Sequence, residues 1–220
     1  MTYTGRVEVG GPADVAELGG LTLSKLAVGP LDNNVYLLRA AQARDSGVRS
    51  LLIDAAAEPD RILELIGDDG VDAVLTTHRH GDHWLALDDV IAATGATTMA
   101  GSNDADAIDV VTDRRLAHGD TLTVGDVELE VIELRGHTPG SIALAFTDAA
   151  GTAHIISGDS LFPGGVGRTT PDTFPQLFAD VTTRIFDRFG DDTWVHPGHG
   201  WDTTLGVERP QLDEWRTRGW

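Results

Sequence analysis

Apolar and polar side chains alternate in the first part of the chain. Residues 21–26 alternate in the way that is typical of a half-buried strand. Residues 34–38 and 50–54 predict two further strands, and the small polar residues 41–47 between them predict a turn. The chain therefore begins with several strands that follow one another closely.

The next part of the chain mixes strands with short helices. Residues 59–66 predict a helix, and residues 71–76 form an apolar run that predicts a buried strand. Residues 84–93 have helical spacing up to Gly95, and residues 96–100 predict another strand.

The second half of the chain repeats this mixture. Gly125 and Asp126 predict the turn of a hairpin between strands at residues 121–124 and 127–134. Further strands are predicted at residues 141–147, 154–157 and 193–196, and helices at residues 174–189 and 208–215. Because strands come in groups with helices between the groups, we predict two sheets with helices outside them, a layered α/β fold. No linker is evident, so residues 1–220 are predicted to form a single domain.

The composition excludes some kinds of metal site and argues against some classes of partner. A chain of 220 residues with 41% hydrophobic residues can bury a sizeable core. It has no cysteine, so disulfides and thiolate metal sites are excluded. The net charge of −19 and the single lysine, Lys25, argue against a nucleic-acid partner. No apolar run approaches the ~18 residues that a membrane span needs, and the N-terminus lacks a signal-peptide core, so we expect a cytoplasmic protein without a membrane partner.

The richest chemistry lies directly after the apolar run at residues 71–76. His78, His80, Asp82 and His83 fall within six positions, and imidazole and carboxylate are ligands for zinc, iron and manganese. In an extended segment, residues i and i+2 point the same way, so His78 and His80 can converge on one ion. We expect Gly81 to permit a sharp bend that a side chain would obstruct. Asp82 and His83 then face a neighbouring ion, and the pattern predicts two metals.

Three more metal-binding side chains follow predicted strands. His137, Asp159 and His199 each lie just past a strand, among glycine and proline residues. Ligands at strand ends are well placed to gather at one edge of a sheet. Among the remaining histidines, we expect His118 to lie on the surface, His154 to be exposed or at an edge, and His196 to pack or hydrogen-bond.

The order of these residues resembles that of the metallo-β-lactamase-fold hydrolases. Their pattern is His-x-His-x-Asp-His, followed by a His, an Asp and a His on later strand ends, and the likeness spans nearly the whole chain. Residues 158–162 with 164–169 resemble the glyoxalase II and persulfide dioxygenase branch, and residues 197–200 with 203–209 are similar to short glyoxalase-II-like proteins. The resemblance implies a four-layer αββα sandwich with the site at one edge. It also implies that the C-terminal helical domain of glyoxalase II, which supplies much of the glutathione binding, is absent.

The same resemblance implies a role for each candidate residue. Asp54 would hydrogen-bond the loop of the histidine cluster and orient its ligands. Asp82 would both bind metal and orient the nucleophile. The implied metal ligands are His78, His80 and His137 for one ion, Asp82, His83 and His199 for the other, and Asp159 as the bridge between them. The expected cofactors are two divalent ions, with zinc favoured and iron or manganese as alternatives.

These assignments imply a dinuclear hydrolase that attacks a small-molecule thioester with a metal-bridging hydroxide. Arg168 would contact a carboxylate of the substrate. A mononuclear iron persulfide dioxygenase that uses His78, His137 and Asp159 is the first alternative. A lactone or ester hydrolase of the same fold is the second. A non-catalytic zinc module is disfavoured, because a structural zinc needs a closed site of four ligands.

Overall fold

A computed structural model of the protein describes residues 2–42 and 47–219. Within this part, the first half of the chain builds a seven-stranded sheet in which the strand order follows the sequence. Strands β1 to β4 pair antiparallel, and β4 to β7 pair parallel. The strands are β1 (Asp14–Glu17), β2 (Leu21–Val28), β3 (Asn33–Ala40), β4 (Ser50–Ile53), β5 (Ala73–Thr76), β6 (Thr97–Gly101) and β7 (Arg114–Leu116).

The second half of the chain builds a six-stranded sheet in the order β15-β14-β11-β10-β9-β8. Strands β8 to β11 pair antiparallel, whereas β11 pairs parallel with β14. A separate short hairpin is formed by β12 (Leu161–Phe162) and β13 (Gly165–Val166). The strands of the second sheet are β8 (Thr121–Val124), β9 (Val127–Glu133), β10 (Ile142–Thr147), β11 (Ala153–Gly158), β14 (Trp194–Pro197) and β15 (Thr203–Thr204).

Helices cover the outer face of each sheet. They are α1 (Pro59–Ile66), α2 (Leu87–Thr94), α3 (Phe174–Val181), α4 (Leu205–Glu208) and α5 (Leu212–Arg218). Leucine, valine and alanine side chains of β2 to β6 pack against Ile62 of α1 and Val90 of α2. The outer face of the second sheet packs against Leu177 of α3 and Trp215 of α5. Along the described chain, no helix is long and apolar enough to cross a membrane.

A third apolar cluster fills the space between the two sheets. It joins Leu23 and Leu51 of the first sheet to Leu129 and Leu144 of the second, and all four side chains are buried. Each strand therefore sends alternate side chains into the central core and towards its helical layer. The order helix, sheet, sheet, helix confirms the predicted four-layer αββα sandwich.

Several elements differ from the sequence prediction in extent. The helix predicted at residues 174–189 is α-helical only to Val181 and then widens into a π-helical turn, Thr182–Phe186. The helix predicted at residues 208–215 is divided by a 3-10 turn that contains Pro210, which has no amide hydrogen for an α-helical bond. Of the turn predicted at residues 41–47, residues 43–46 lie outside the described part of the chain.

Candidate metal centre

The candidate ligands lie at the carboxyl ends of four strands. The histidine cluster follows β5 of the first sheet, and His137, Asp159 and His199 follow β9, β11 and β14 of the second. Strands β9, β11 and β14 run in one direction, because β10 is antiparallel to both β9 and β11 while β11 and β14 are parallel. Their carboxyl ends therefore meet at one edge of the second sheet, beside the loop that leaves the first.

His78, His80 and His137 form the first group of converging side chains. The Nε2 atom of His78 lies 3.1 Å from the Nδ1 atom of His80. The ring of His137 is centred 4.9 Å from that of His78 and 4.6 Å from that of His80. His78 is fully buried, whereas His80 reaches the surface. The structure thus brings a residue that follows β9 next to two residues that follow β5.

Asp82, His83 and His199 form the second group. The Nε2 atoms of His83 and His199 are 3.2 Å apart. Asp82 places Oδ2 3.6 Å from Nε2 of His83 and 3.4 Å from Nε2 of His199. His83 and Asp82 belong to a single 3-10 turn, Gly81–His83. The ring of His83 is centred 4.2 Å from that of His78, so the two groups adjoin.

Asp159 lies between the two groups. Its Oδ1 is 3.3 Å from Nε2 of His83, and its Oδ2 is 3.4 Å from Nε2 of His199. The same Oδ2 is 3.6 Å from Nε2 of His137 in the first group. Burial raises the pKa of the Asp159 carboxyl, but hydrogen bonds with His199 and His83 outweigh that effect and lower it, so the group is ionised.

Asp54 hydrogen-bonds the loop that carries the histidine cluster. It has a positive φ of 60° and is almost completely buried. Its carboxylate accepts hydrogen bonds from the backbone N–H of Thr77 at 2.7 Å and from the Thr77 hydroxyl at 2.8 Å. It also accepts one from Nδ1 of His83 at 2.8 Å. When the ring is neutral, the Nε2 atom of His83 is thereby left with a lone pair that faces Asp82 and Asp159.

Backbone carbonyls orient two further rings in the same way. Nδ1 of His137 donates to the carbonyl of Arg168, and Nδ1 of His199 donates to that of Leu31, both at 2.8 Å. A carbonyl can only accept, so in the neutral form of each ring the Nε2 atom carries a lone pair. The buried Nε2 of His137 has no hydrogen-bond partner among the described residues.

This donor set fits metal ions. Neutral His83 and His199 would point two lone pairs at each other across 3.2 Å, which is unfavourable unless a cation lies between them. Burial alone would lower the pKa of His83, but Asp54 and Asp159 outweigh it and raise that pKa to about 10, so without metal this ring carries a proton on Nε2 that a bound ion would replace. Burial lowers the pKa of His78 well below its usual value. A neutral imidazole next to anionic carboxylates is the form in which these side chains bind zinc, iron or manganese.

Comparison with known proteins agrees with this geometry. The family described as Metallo-beta-lactamase superfamily matches residues 28–209, which includes every candidate ligand. The chain belongs to the metallo-beta-lactamase superfamily. It is a metallo-hydrolase of that superfamily, and its histidine and aspartate cluster is capable of binding metal ions. The resemblance inferred from the sequence is therefore confirmed.

Relatives place the chain near the glyoxalase-II-like members of the superfamily. A Rhodospirillum rubrum protein named hydroxyacylglutathione hydrolase is 34% identical over 170 residues, which are 76% of this chain and 62% of that protein. The chain thus spans less than two thirds of that relative. A Bacillus subtilis protein named "Probable metallo-hydrolase YqgX" is 32% identical over 209 residues, 85% of this chain and 94% of its own length. The crystal structure of TTHA1623 in a di-iron-bound form is 31% identical, with a TM-score of 0.67 over 84% of this chain and 96% of that one.

Glycines allow the ligand loops of this superfamily member to approach one another. A Cβ at Gly198 would lie 2.2 Å from Oδ1 of Asp159 and 2.8 Å from Cε1 of His83. Gly81, in contrast, has no atom within 4 Å of such a Cβ and no positive φ. The prediction that a side chain at Gly81 would obstruct the bend is wrong, because the loop turns there as an ordinary 3-10 helix.

A cavity of about 660 Å³ opens beside the first group of ligands. His80 and His137 form part of its wall, together with Arg79, Arg135 and Arg168. The cavity is large enough for a small organic substrate to reach the candidate metal centre.

The three arginines differ in how they are held. Arg135 donates from Nε and Nη2 to the carboxylate of Asp180, both at 2.9 Å. Arg79 lies 3.9 Å from the carboxylate of Asp104. The exposed side chain of Arg168 makes no hydrogen bond or ion pair with any described residue. Arg168 is therefore the cavity arginine whose charge is available to a ligand.

The remaining histidines lie away from the centre. His118 is exposed, as predicted. His196 hydrogen-bonds Asp202 at 2.6 Å, also as predicted. His154 is buried, so the prediction that it is exposed or at an edge is wrong. Because β14 pairs with the far side of β11, that strand is interior and His154 stacks between Phe146 and His196.

The sequence pattern did not single out two polar residues that support the centre. Asn33 donates from Nδ2 to Oδ2 of Asp82 at 2.9 Å. Asp104 accepts hydrogen bonds from the loops of His80 and His137. Asn33 is the first residue of β3, next to the strand predicted at residues 34–38, and that position was a usable signal. Asp104 lies in a polar stretch after β6 and carries no signal of its own.

Proposed function

We propose that this protein is a dinuclear metal-dependent hydrolase whose substrate is a small-molecule thioester. The observation that carries the proposal is the position of Asp159, whose carboxylate contacts histidines of both ligand groups. A carboxylate between two sets of imidazole nitrogens is suited to bridge a pair of ions. The superfamily membership and the di-iron-bound form of TTHA1623 support a two-metal site.

The proposed ligand sets follow the two groups. His78, His80 and His137 would hold one ion, Asp82, His83 and His199 would hold the other, and Asp159 would contribute to both sites. Zinc is the proposed native metal, with iron or manganese as alternatives, because nitrogen and carboxylate ligands suit all three. Ions held there would lower the pKa of a bound water and offset negative charge on the substrate carbonyl oxygen.

The side chains around the ions hold and orient the reacting groups. Asp82 is held by Asn33 and faces His199, so it is placed to orient the attacking water as well as to bind metal. Asp54 keeps the protonated Nδ1 of His83 turned away from the centre. No side-chain nucleophile is needed, which agrees with a chain that has no cysteine.

The residues that line the cavity suit a thioester that also carries a carboxylate. Its wall joins ligand histidines to Arg168, so a substrate can place its reacting carbonyl at the centre and a carboxylate at the guanidinium. The relatives named hydroxyacylglutathione hydrolase support a thioester as the reacting group.

The test combines metal analysis with turnover of an S-lactoyl thioester. We expect two metal ions per chain and metal-dependent hydrolysis. Asp159→Asn removes the bridging charge, so it should retain about one ion and lose ~100-fold or more in kcat/KM, in line with the several kcal/mol that metal polarisation contributes. Asp213→Asn, at an exposed surface pair, is the matched control and should behave as wild type.

Two other outcomes would replace the proposal. One iron per chain together with oxygen uptake on a persulfide would establish the mononuclear dioxygenase. Two metals with hydrolysis of lactones or esters and no thioester turnover would establish the alternative hydrolase. Full activity in Asp159→Asn would show that the bridging assignment is wrong.

A further inference from the structure

Asp104 is a buried carboxylate outside the proposed ligand set. It follows β6 at the start of a short 3-10 turn, Ala105–Ala107, and its side chain has no exposure to solvent. Burying a carboxylate costs several kcal/mol unless hydrogen bonds compensate for the lost water. The contacts that compensate here are therefore informative about what the residue does.

The hydrogen bonds of Asp104 go to the two loops of the first ligand group. Oδ2 accepts from the backbone N–H of Arg79, which lies between His78 and His80, at 3.1 Å. Oδ2 also accepts from the hydroxyl of Thr138, which follows His137, at 2.5 Å.

The other carboxylate oxygen of Asp104, Oδ1, contacts the loop that carries His137. Oδ1 accepts from the backbone N–H of Gly140 at 2.9 Å. A Cβ at Gly140 would lie 2.5 Å from the backbone nitrogen of Asp104, so this approach requires glycine. One carboxylate thus joins a loop of the first sheet to a loop of the second.

Electrostatics do not account for the burial of this group. The nearest described cation is the Arg79 guanidinium, with Nε 3.9 Å away and a side chain 41% exposed. A half-exposed pair at that distance stabilises a protein by about 1 kcal/mol or less. The carboxylate is instead held by neutral donors whose positions it sets. Asp54 has the equivalent relation to Thr77 and His83.

We propose that Asp104 is a positioning residue for the first metal. By holding Arg79 and Thr138 on one oxygen atom, it sets the separation between His78 and His80 on one side and His137 on the other. The affinity of that site for metal then depends on a carboxylate that touches no metal. This inference rests on the ligand sets given under the proposed function.

The test is the zinc affinity of each site in Asp104→Asn, measured by chelator competition, with the Co²⁺ absorption spectrum as a second readout. The variant keeps the side-chain shape but turns an amide NH₂ towards at least one of the three donors. We expect about 10- to 100-fold weaker binding at one site, the range for residues that orient metal ligands, and an altered spectrum. Asp106→Asn, two residues away and exposed, is the matched control and should leave both affinities unchanged.

Thr138 provides a second pair of variants, at a hydroxyl that contacts both Asp104 and Ser141. Thr138→Val deletes the hydroxyl that Asp104 accepts, whereas Thr138→Ser keeps it. We expect weaker binding at one site for Thr138→Val and recovery of the wild-type affinity and spectrum for Thr138→Ser. This pair gives a result even if Asp104→Asn does not fold.

His80→Ala separates this inference from the proposed function. If His80→Ala still binds two ions with wild-type affinities, the ligand set itself is wrong. If His80→Ala loses one ion while Asp104→Asn or Thr138→Val keeps both affinities and the Co²⁺ spectrum, the positioning role of Asp104 is overturned.

Discussion

Each of four candidate histidine ligands has its second ring nitrogen tied to a fixed partner. Nδ1 of His78 lies 3.0 Å from the hydroxyl oxygen of Thr77. Because that hydroxyl donates its hydrogen to Asp54, Nδ1 of His78 is the donor in this contact. His83 donates to Asp54, and His137 and His199 donate to backbone carbonyls. The rings are therefore oriented by the protein itself, which reduces the entropy lost when an ion binds.

Arg168 is the side chain on which substrate selectivity should depend. Arg168→Gln removes a charged hydrogen bond worth about 1.5–3 kcal/mol, so kcat/KM for a carboxylate-bearing thioester should fall roughly 10- to 100-fold, chiefly through KM. The neutral amide analogue of the same thioester should be hydrolysed at the wild-type rate. The measurement is steady-state kinetics on the two substrates.

The control for this prediction is Arg216→Gln, which changes an arginine that is 63% exposed and pairs with Asp213 on the surface. Equal losses on the charged and the neutral substrate would show that Arg168 supports the loop and does not bind the carboxylate.

At the scale of elements, the loop between β14 and β15 is held by side chains of β2 and β3. Lys25 of β2 is fully buried and donates to the carbonyls of Gly5 and Gly200 and to Asp202. Asn34 of β3 donates to the carbonyls of Pro197 and Gly200. Because His199 belongs to this loop, the polar contacts between the sheets also place a ligand.

Lys25→Met should destabilise the protein strongly. It leaves Asp202 buried without its cation, and removal of one partner from a buried pair costs about 3–5 kcal/mol. For a chain of this size each kcal/mol lowers the unfolding temperature by about 2–4 °C, so we expect a decrease of roughly 6–20 °C in calorimetry.

Arg49→Gln is the control for Lys25→Met. Arg49 pairs with Asp69, and both side chains are substantially exposed, so the unfolding temperature should hardly change. A decrease in Lys25→Met no larger than that of the control would mean that the methionine packs well enough to replace the ion pair.

At the scale of the whole molecule, the candidate centre spans both sheets. His78, His80, Asp82 and His83 come from the first sheet, and His137, Asp159 and His199 come from the second. Bound ions would therefore cross-link the two halves of the sandwich, in addition to the apolar cluster between them.

Metal removal should lower the stability of the whole fold. An ion at 100 times its dissociation constant stabilises the folded state by about 2.7 kcal/mol, so chelation should lower the unfolding temperature by roughly 5–10 °C per site. Added zinc should restore it, and Asp159→Asn should show a smaller difference between the chelated and the zinc-loaded protein. The same unfolding temperature with and without chelator would contradict a cross-link between the sheets.

The amino-acid sequence by itself determined the kind of chemistry and most of the strands. The spacing of His78, His80, Asp82 and His83, and the positions of later ligand types at strand ends, are local features that a linear pattern records. The alternation of apolar residues likewise indicates strands and helices, and the layered fold follows from their grouping.

Only the tertiary structure decided which of these residues meet. His154 is buried because β14 joins the far side of β11, and strand order is a long-range property that no local pattern encodes. The contacts of Asp104 are also long-range, because its hydrogen-bond partners lie 25 to 36 residues away in sequence. The sequence identifies the ligand types because their chemistry is local, whereas the packing of two sheets brings together the groups that hold them.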